Sequence, residues 1–308
     1  MPRLKSRTWA GFALAGVAAA GVFFYLRWQR TPSVAELYAR IPQDGRVITS
    51  IDARALRAAG ILDLLAGGKG IEEPDYKQFV ADTGFNYKQD LDQLLVASTR
   101  GETHAWLNGR FDYSRLEAYA RKQGGTCADG ICRLNGSVPG RYLSFSRYRA
   151  HTIAFASSAD PEAVKRLLAE PSALSPPPLP SQPVWFILPT AVLTDESLLP
   201  TGTRSFATAL AGAQRVTLAI GPQGQRFEAA LDVTYRDPGE ARQAMRELQA
   251  ATTLLQRMIA RERKEPNNRD LSGVLTKGEF QAVGARLSGK WPVERVFLEN
   301  LAASSTQP

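Results

Sequence analysis

One stretch constrains this chain more than any other. Trp9 to Leu26 reads WAGFALAGVAAAGVFFYL, eighteen residues with no charge and no proline. At ~1.5 Å per residue, a helix of this length nearly crosses the hydrocarbon layer of a bilayer. The expectation is a single membrane anchor carried by Trp9, Phe12, Leu14, Val17, Val22, Phe23, Phe24 and Leu26, with the bilayer as partner of residues 9–26. Tyr25 and Trp28 stand where aromatic rings settle at the interface. Arg3, Lys5 and Arg7 precede the run; Arg27 and Arg30 follow it. That small bias places the N-terminus in the cytoplasm and the remainder outside. A cleaved signal peptide is the rival, with Ala18-Ala19-Ala20 as the cleavage site. Cleavage there would leave six apolar residues, Gly21 to Leu26, at a new N-terminus, which favours an uncleaved signal anchor.

The anchor region also explains the charge. The chain carries +8, and five basic side chains lie within residues 1–30 with no acid among them, leaving +3 for everything else. A nucleic-acid partner needs basic surface on the folded part, so none is expected. With 44% hydrophobic residues the remainder is able to bury a core. Cys127 and Cys132 flank the turn signal Asp129-Gly130, and no further Cys or nearby His completes a metal set. A structural disulfide is expected, as suits an oxidising compartment.

Taken in order, the chain divides into an anchor (1–30), a juxtamembrane segment (31–46), a first α+β half (47–169), a Pro-rich linker (170–183), a second α+β half (184–302) and a tail (303–308). Ser33, Asp52, Asp112 and Asp237 each stand where a helix N-cap is needed. The longest helix should run from Pro238 to about Lys264, with Ala241, Met245, Leu248, Leu255 and Ile259 along one stripe. Phe280 to Leu287 reads as one strand and Pro292 to Leu301 as a terminal helix. Each half gives strand, helix, two-stranded hairpin, helix, strand, helix, which suggests an internal repeat. The fold expected is α+β: a mostly antiparallel sheet with helices on one face, pseudo-duplicated, behind one transmembrane helix.

Chemistry is harder to find. GGKG at residues 67–70 lacks the spacing of a phosphate-binding loop, and His104 and His151 are isolated from each other. No catalytic set, metal site or cofactor is expected. Asp90 and Asp92, two residues apart before a strand, form the one candidate polar site; turn and cap duty is the plainer reading for both. Arg100, Arg110, Arg141, Arg147 and Arg149 are either solvated surface or partners for acids and phospholipid headgroups.

Thr83, Gly84, Phe85, Asp90, Leu91 and Asp92 form a T-G-F-x-x-x-x-D-L-D segment, followed by Gly109, Arg110, Phe111 and Asp112 as G-R-F-D. In this pattern the chain resembles a family of uncharacterised bacterial single-pass membrane proteins. The resemblance implies a place in the bacterial envelope and assigns no activity. The functional expectation is therefore a membrane-tethered, extracytoplasmic and non-enzymatic domain on the bacterial inner membrane, binding an envelope protein or lipid. The alternative is an envelope enzyme, hydrolase-like, with a dispersed site around Asp90 and Asp92.

Overall fold

The computed structural model describes residues 25–62, 74–171, 177–195, 203–224 and 226–304. Of the expected anchor only Tyr25 and Leu26 fall within these ranges. Residues 9–24, the glycine cluster 67–70, part of the Pro-rich linker and the last four residues of the tail lie outside them. Among the described residues no helix is long and apolar enough to cross a membrane.

Local signals start most helices. After a short helical stretch at 25–29, α1 (Val34–Tyr38) begins at a reciprocal cap between Ser33 and Glu36. Strand β1 (Val47–Ile51) leads to Asp52, whose carboxylate accepts the Ala55 N–H and starts α2 (Ala53–Ala58). There follow α3 (Pro74–Thr83), α4 (Tyr87–Asp90), β2 (Leu91–Ser98), β3 (Thr103–Gly109) and α5 (Tyr113–Lys122), the last capped by Asp112. Strands β4 (Thr126–Ala128), β5 (Ile131–Asn135), β6 (Tyr142–Arg149) and β7 (Thr152–Ser158) precede α6 (Lys165–Leu168). Cys127 and Cys132, opposite one another on β4 and β5, are joined as a disulfide.

The second half holds β8 (Val184–Leu188), α7 (Thr190–Leu193), α8 (Arg204–Ala209), β9 (Arg215–Gln223) and β10 (Arg226–Thr234). Then come α9 (Pro238–Arg261), α10 (Leu271–Leu275), β11 (Glu279–Val283), β12 (Arg286–Val293) and α11 (Arg295–Ser304). Asp237 caps α9 through the N–H groups of Gly239 and Glu240.

The twelve strands of the described residues join one sheet in the order β11-β12-β10-β9-β8-β1-β2-β3-β7-β6-β5-β4, and every pairing is antiparallel. The two halves meet at β1 and β8, where Ile48 opposes Ile187 and Ile51 opposes Val184. Outward from this seam, β1-β2-β3-β7-β6 and β8-β9-β10-β12-β11 follow the same order; β5 and β4 extend only the first half.

Three expectations need correction here. Residues 280–287 do not form one strand. The chain turns at Gly284, whose φ is +58, and returns as β12. Pro292 belongs to β12 instead of opening a helix: β11 pairs only as far as Lys290, so beyond it β12 needs no N–H on that side. Nor do the helices keep to one face. Strand alternation puts Ile48, Leu95, Trp106, Ala154 and Trp185 on the face covered by α1 and α6 through Leu37, Tyr38, Val164 and Leu167. The opposite face carries the other helices: α2, α3 and α5 over the first half, α8 to α11 over the second. Trp106 needs cover because it is fully buried and its ring exceeds what a single strand neighbour hides.

A polar staple holds α6 to its face of the sheet. Glu102, at the β2–β3 turn, pairs with Arg46 before β1 at 2.5 Å and with Arg166 of α6 at 2.9 Å, and accepts from Ser158 Oγ at 3.2 Å. His104 lies fully buried beside it, Nε2 3.8 Å from Glu102, with neither ring nitrogen hydrogen-bonded among the described residues. Burial lowers the His104 pKa; Arg46 and Arg166 push the same way, against Glu102 and the Ala163 backbone. The folded state thus keeps the ring neutral below its usual 6.5, whereas the unfolded chain protonates there. The unfolded state binds more protons, so stability falls as pH drops from about 6.5 towards the folded value. Urea midpoints measured from about pH 7.5 to about 5 should decline, and His104→Phe should flatten that decline.

Candidate functional site

The residues singled out in the sequence are placed as structural parts. Asp90 pairs with Arg110 at 2.9 Å and accepts the Asn86 N–H at 2.9 Å. Asp92 pairs with Arg54 at 2.7 Å and lies 3.7 Å from Arg57. The hydrogen bond from Arg54 leads the lowering of the Asp92 pKa, against partial burial, with Arg57 and Arg110 adding to it. Such a carboxylate is a poor proton donor or acceptor near neutrality. Among the described residues no group of acids, Cys and His could hold a metal ion.

The T-G-F and G-R-F-D residues form one packing unit. Gly84 ends α3 at φ +73, and a Cβ there would meet the Arg115 guanidinium at 2.6 Å. Arg115 in turn donates to the carbonyls of Ala81 and Asp82 at the end of α3. Phe85 stacks on Phe111 at 4.9 Å, and a Cβ on Gly109 would strike the Asp90 carbonyl at 2.3 Å. The motif therefore locks α3, α4 and α5 over β2 and β3.

The large feature of the molecule lies in the second half. Helix α9 runs over the outer strands, burying Ala241, Ala244 and Leu248 against Leu287 and Trp291. Strands β8, β9 and β10 are left to the short helices α7, α8, α10 and α11. Helices of four to ten residues offer few inward positions each. Between them and the sheet lies a half-open cavity of about 780 Å³. Its floor is Leu188, Val216, Leu218, Ile220, Ala229 and Leu231; its walls include Phe206, Leu210, Val274 and Phe297, with Trp291 at one side. Polar residues (Thr203, Arg269, Asp270, Ser272 and Asn300) are few among those that line it.

Helix α8 is held in place from behind. Burial pushes the Tyr235 phenol up to about 12, with Glu247 and Glu240 adding to the rise, so it stays a neutral donor to the Ala209 carbonyl. The rim is fixed on the far side by Asn300, which donates to the Arg269 carbonyl at 2.9 Å, and by Asp270, which caps α10 through the Ser272 N–H.

The first half shows what the same layer looks like when filled. On the same sheet face, aromatic rings from α3, α5, the strands and the connections between them (Phe79, Phe85, Phe111, Tyr119, Phe145 and Phe155) leave about 250 Å³. Phe79 meets Tyr119 edge-on at 5.2 Å. In the second half, with matching strand order, the described residues that line the space include three rings, Phe206, Trp291 and Phe297. The space is of the size and lining of a small-molecule site. Sequence reasoning missed it, since its residues come from eight separate elements; only the excess of short helices around 190–210 and 270–300 hinted at it.

No family model and no curated protein sequence matches the chain. Two crystal structures of TP0453 are similar in fold: crystal form IV, at TM-score 0.51 and 14% identity over 89% of this chain and 98% of that one, and crystal form I, at 0.50 and 12% over 90% and 98%. At such identity the likeness concerns the arrangement of elements alone, an α+β fold with a mostly antiparallel sheet.

Proposed function

We propose that this chain is a membrane-tethered, non-enzymatic binding domain that holds a lipid-like apolar molecule in the cavity over β8, β9 and β10. The carrying observation is the cavity: about 780 Å³, almost wholly apolar, in a protein whose other half fills the matching layer with aromatic rings. A molecule with an apolar body would take water's place against this lining and gain the hydrophobic free energy.

The tether is the run at residues 9–26, read as one uncleaved transmembrane helix of the bacterial inner membrane with the N-terminus in the cytoplasm. The Cys127–Cys132 disulfide supports an oxidising compartment for the domain. The repeated strand order supports a duplicated ancestor, one copy packed solid and one opened. The envelope-enzyme alternative gains no such support, because arginines occupy both Asp90 and Asp92.

The test is native mass spectrometry of the full chain released from membranes. The expected spectrum contains a second species heavier by one lipid-like molecule, which organic extraction removes. A single unliganded species, unchanged after incubation with membrane lipid extract, would refute the proposal.

A further inference from the structure

The residues that follow the expected anchor do not lead away from the domain; they are fastened to one corner of it. The Ala150 N–H donates to the Trp28 carbonyl at 3.3 Å, and Arg149 Nη1 reaches the carbonyls of Arg27 and Arg30 at 3.4 Å each. The Arg147 guanidinium lies 5.2 Å from the centre of the Trp28 ring. Arg40 and Arg149 both approach the Tyr148 ring, at 5.3 and 5.4 Å. The β6–β7 turn and the start of the chain thus share one surface.

That surface is strongly cationic. Arg27, Arg40, Arg147 and Arg149 make no ion pair among the described residues, and Arg30 pairs with Glu36 at 2.8 Å. Tyr25, Leu26 and Trp28 stand exposed beside them, at 62, 60 and 41%. Elsewhere Arg100 pairs with Asp195 and Arg110 with Asp90. Unpaired guanidinium groups next to exposed tyrosine and tryptophan match a headgroup layer, where phosphates meet aromatic rings.

We infer that this corner, Arg27, Arg30, Arg147 and Arg149 with Tyr25 and Trp28, is a docking surface for the anionic phospholipid headgroups of the membrane that holds the chain. The inference rests on the anchor reading and is independent of what fills the cavity. Continuity argues for this occupant: residues 25–30 are where a helix spanning 9–26 would leave the bilayer. The domain then stands on its β6–β7 turn, with a fixed orientation to the membrane instead of swinging on a linker. Each such charge shifts a surface equilibrium by roughly fivefold at physiological salt.

The experiment uses the full chain reconstituted into vesicles of phosphatidylcholine alone or with a quarter phosphatidylglycerol. Flotation after a high-salt wash reads the anchor, and hydrogen exchange over residues 147–151 reads the docking. The expected result is flotation with both vesicles and at least roughly fivefold slower exchange with the anionic ones. Arg147→Glu with Arg149→Glu should float equally and lose the lipid-dependent slowing. Exchange in the wild-type chain that is equal on both vesicles would overturn the docking surface while leaving the anchor intact. Failure to float with either would overturn the anchor reading and the inference with it. The wild-type comparison stands even if the double variant folds poorly.

Discussion

Replacing Glu102 with alanine should lower the unfolding free energy by ~1–3 kcal/mol, the loss when one partner of a partly buried, charge-assisted hydrogen bond is removed. The side chain is 16% exposed and Arg46 only 13%, so water cannot fully replace the carboxylate. Its removal leaves Arg46 facing Arg166 across a site that also adjoins the unpartnered His104 ring. Burial raises the Glu102 pKa, but Arg46, His104 and Arg166 together outweigh it, and the net shift is downward. The sign follows: the staple stabilises above the unfolded value of 4.5 and is lost as pH falls through the lower folded value. Urea unfolding of the variant at neutral pH checks the magnitude. Glu102→Gln, which keeps the shape, should lose most of the same stability and the acid dependence below about pH 4.5.

The second large effect is on ligand binding. Ala229 sits on the cavity floor, between Ile220 and Trp291 in neighbouring strands. Ala229→Trp should reduce uptake of an apolar ligand by tenfold or more, because the new ring takes the ligand's place. The same ring should stabilise the unliganded protein by ~0.5–2 kcal/mol, as cavity filling commonly does. In a chain of this size each kcal/mol raises Tm by roughly 2–4 °C. Binding and stability then move in opposite directions. A ring forced into a packed core would lower both, so a lower Tm for the unliganded variant would argue against an open cavity.

Much of the fold is readable where the cause is local. Ser33, Asp52, Asp112 and Asp237 cap helices because each side chain answers N–H groups two or three residues away. The cysteine pair is readable because Asp129-Gly130 forces a turn between strands β4 and β5, with both residues at positive φ. Of the stripe expected on α9, Ala241 and Leu248 are buried and Met245, Leu255 and Ile259 are half-buried, while Ala244 and Thr252 complete the buried face. What fails is non-local. The hairpin of β11 and β12 is hidden because its turn is only Gly284-Ala285, so the two strands read as one run although the alternation changes phase between Ala282 and Leu287. Helices on both faces follow from Trp106 and Trp185 pointing away from the aromatic layer, a consequence of register. Glu102 meets Arg46 and Arg166 over 56 and 64 residues, beyond any motif. The cavity is less legible still, because it is a space that short helices fail to fill.

The central claim is that this space holds an apolar ligand, and Trp291 reports on it directly. Wild-type chain stripped of lipid is titrated with a brominated single-chain fatty acid while tryptophan emission is followed. Saturable quenching that is lost in Trp291→Phe and weakened at least tenfold in Ala229→Trp is the predicted result. Quenching that is non-saturable, or that Ala229→Trp leaves unchanged, would contradict it.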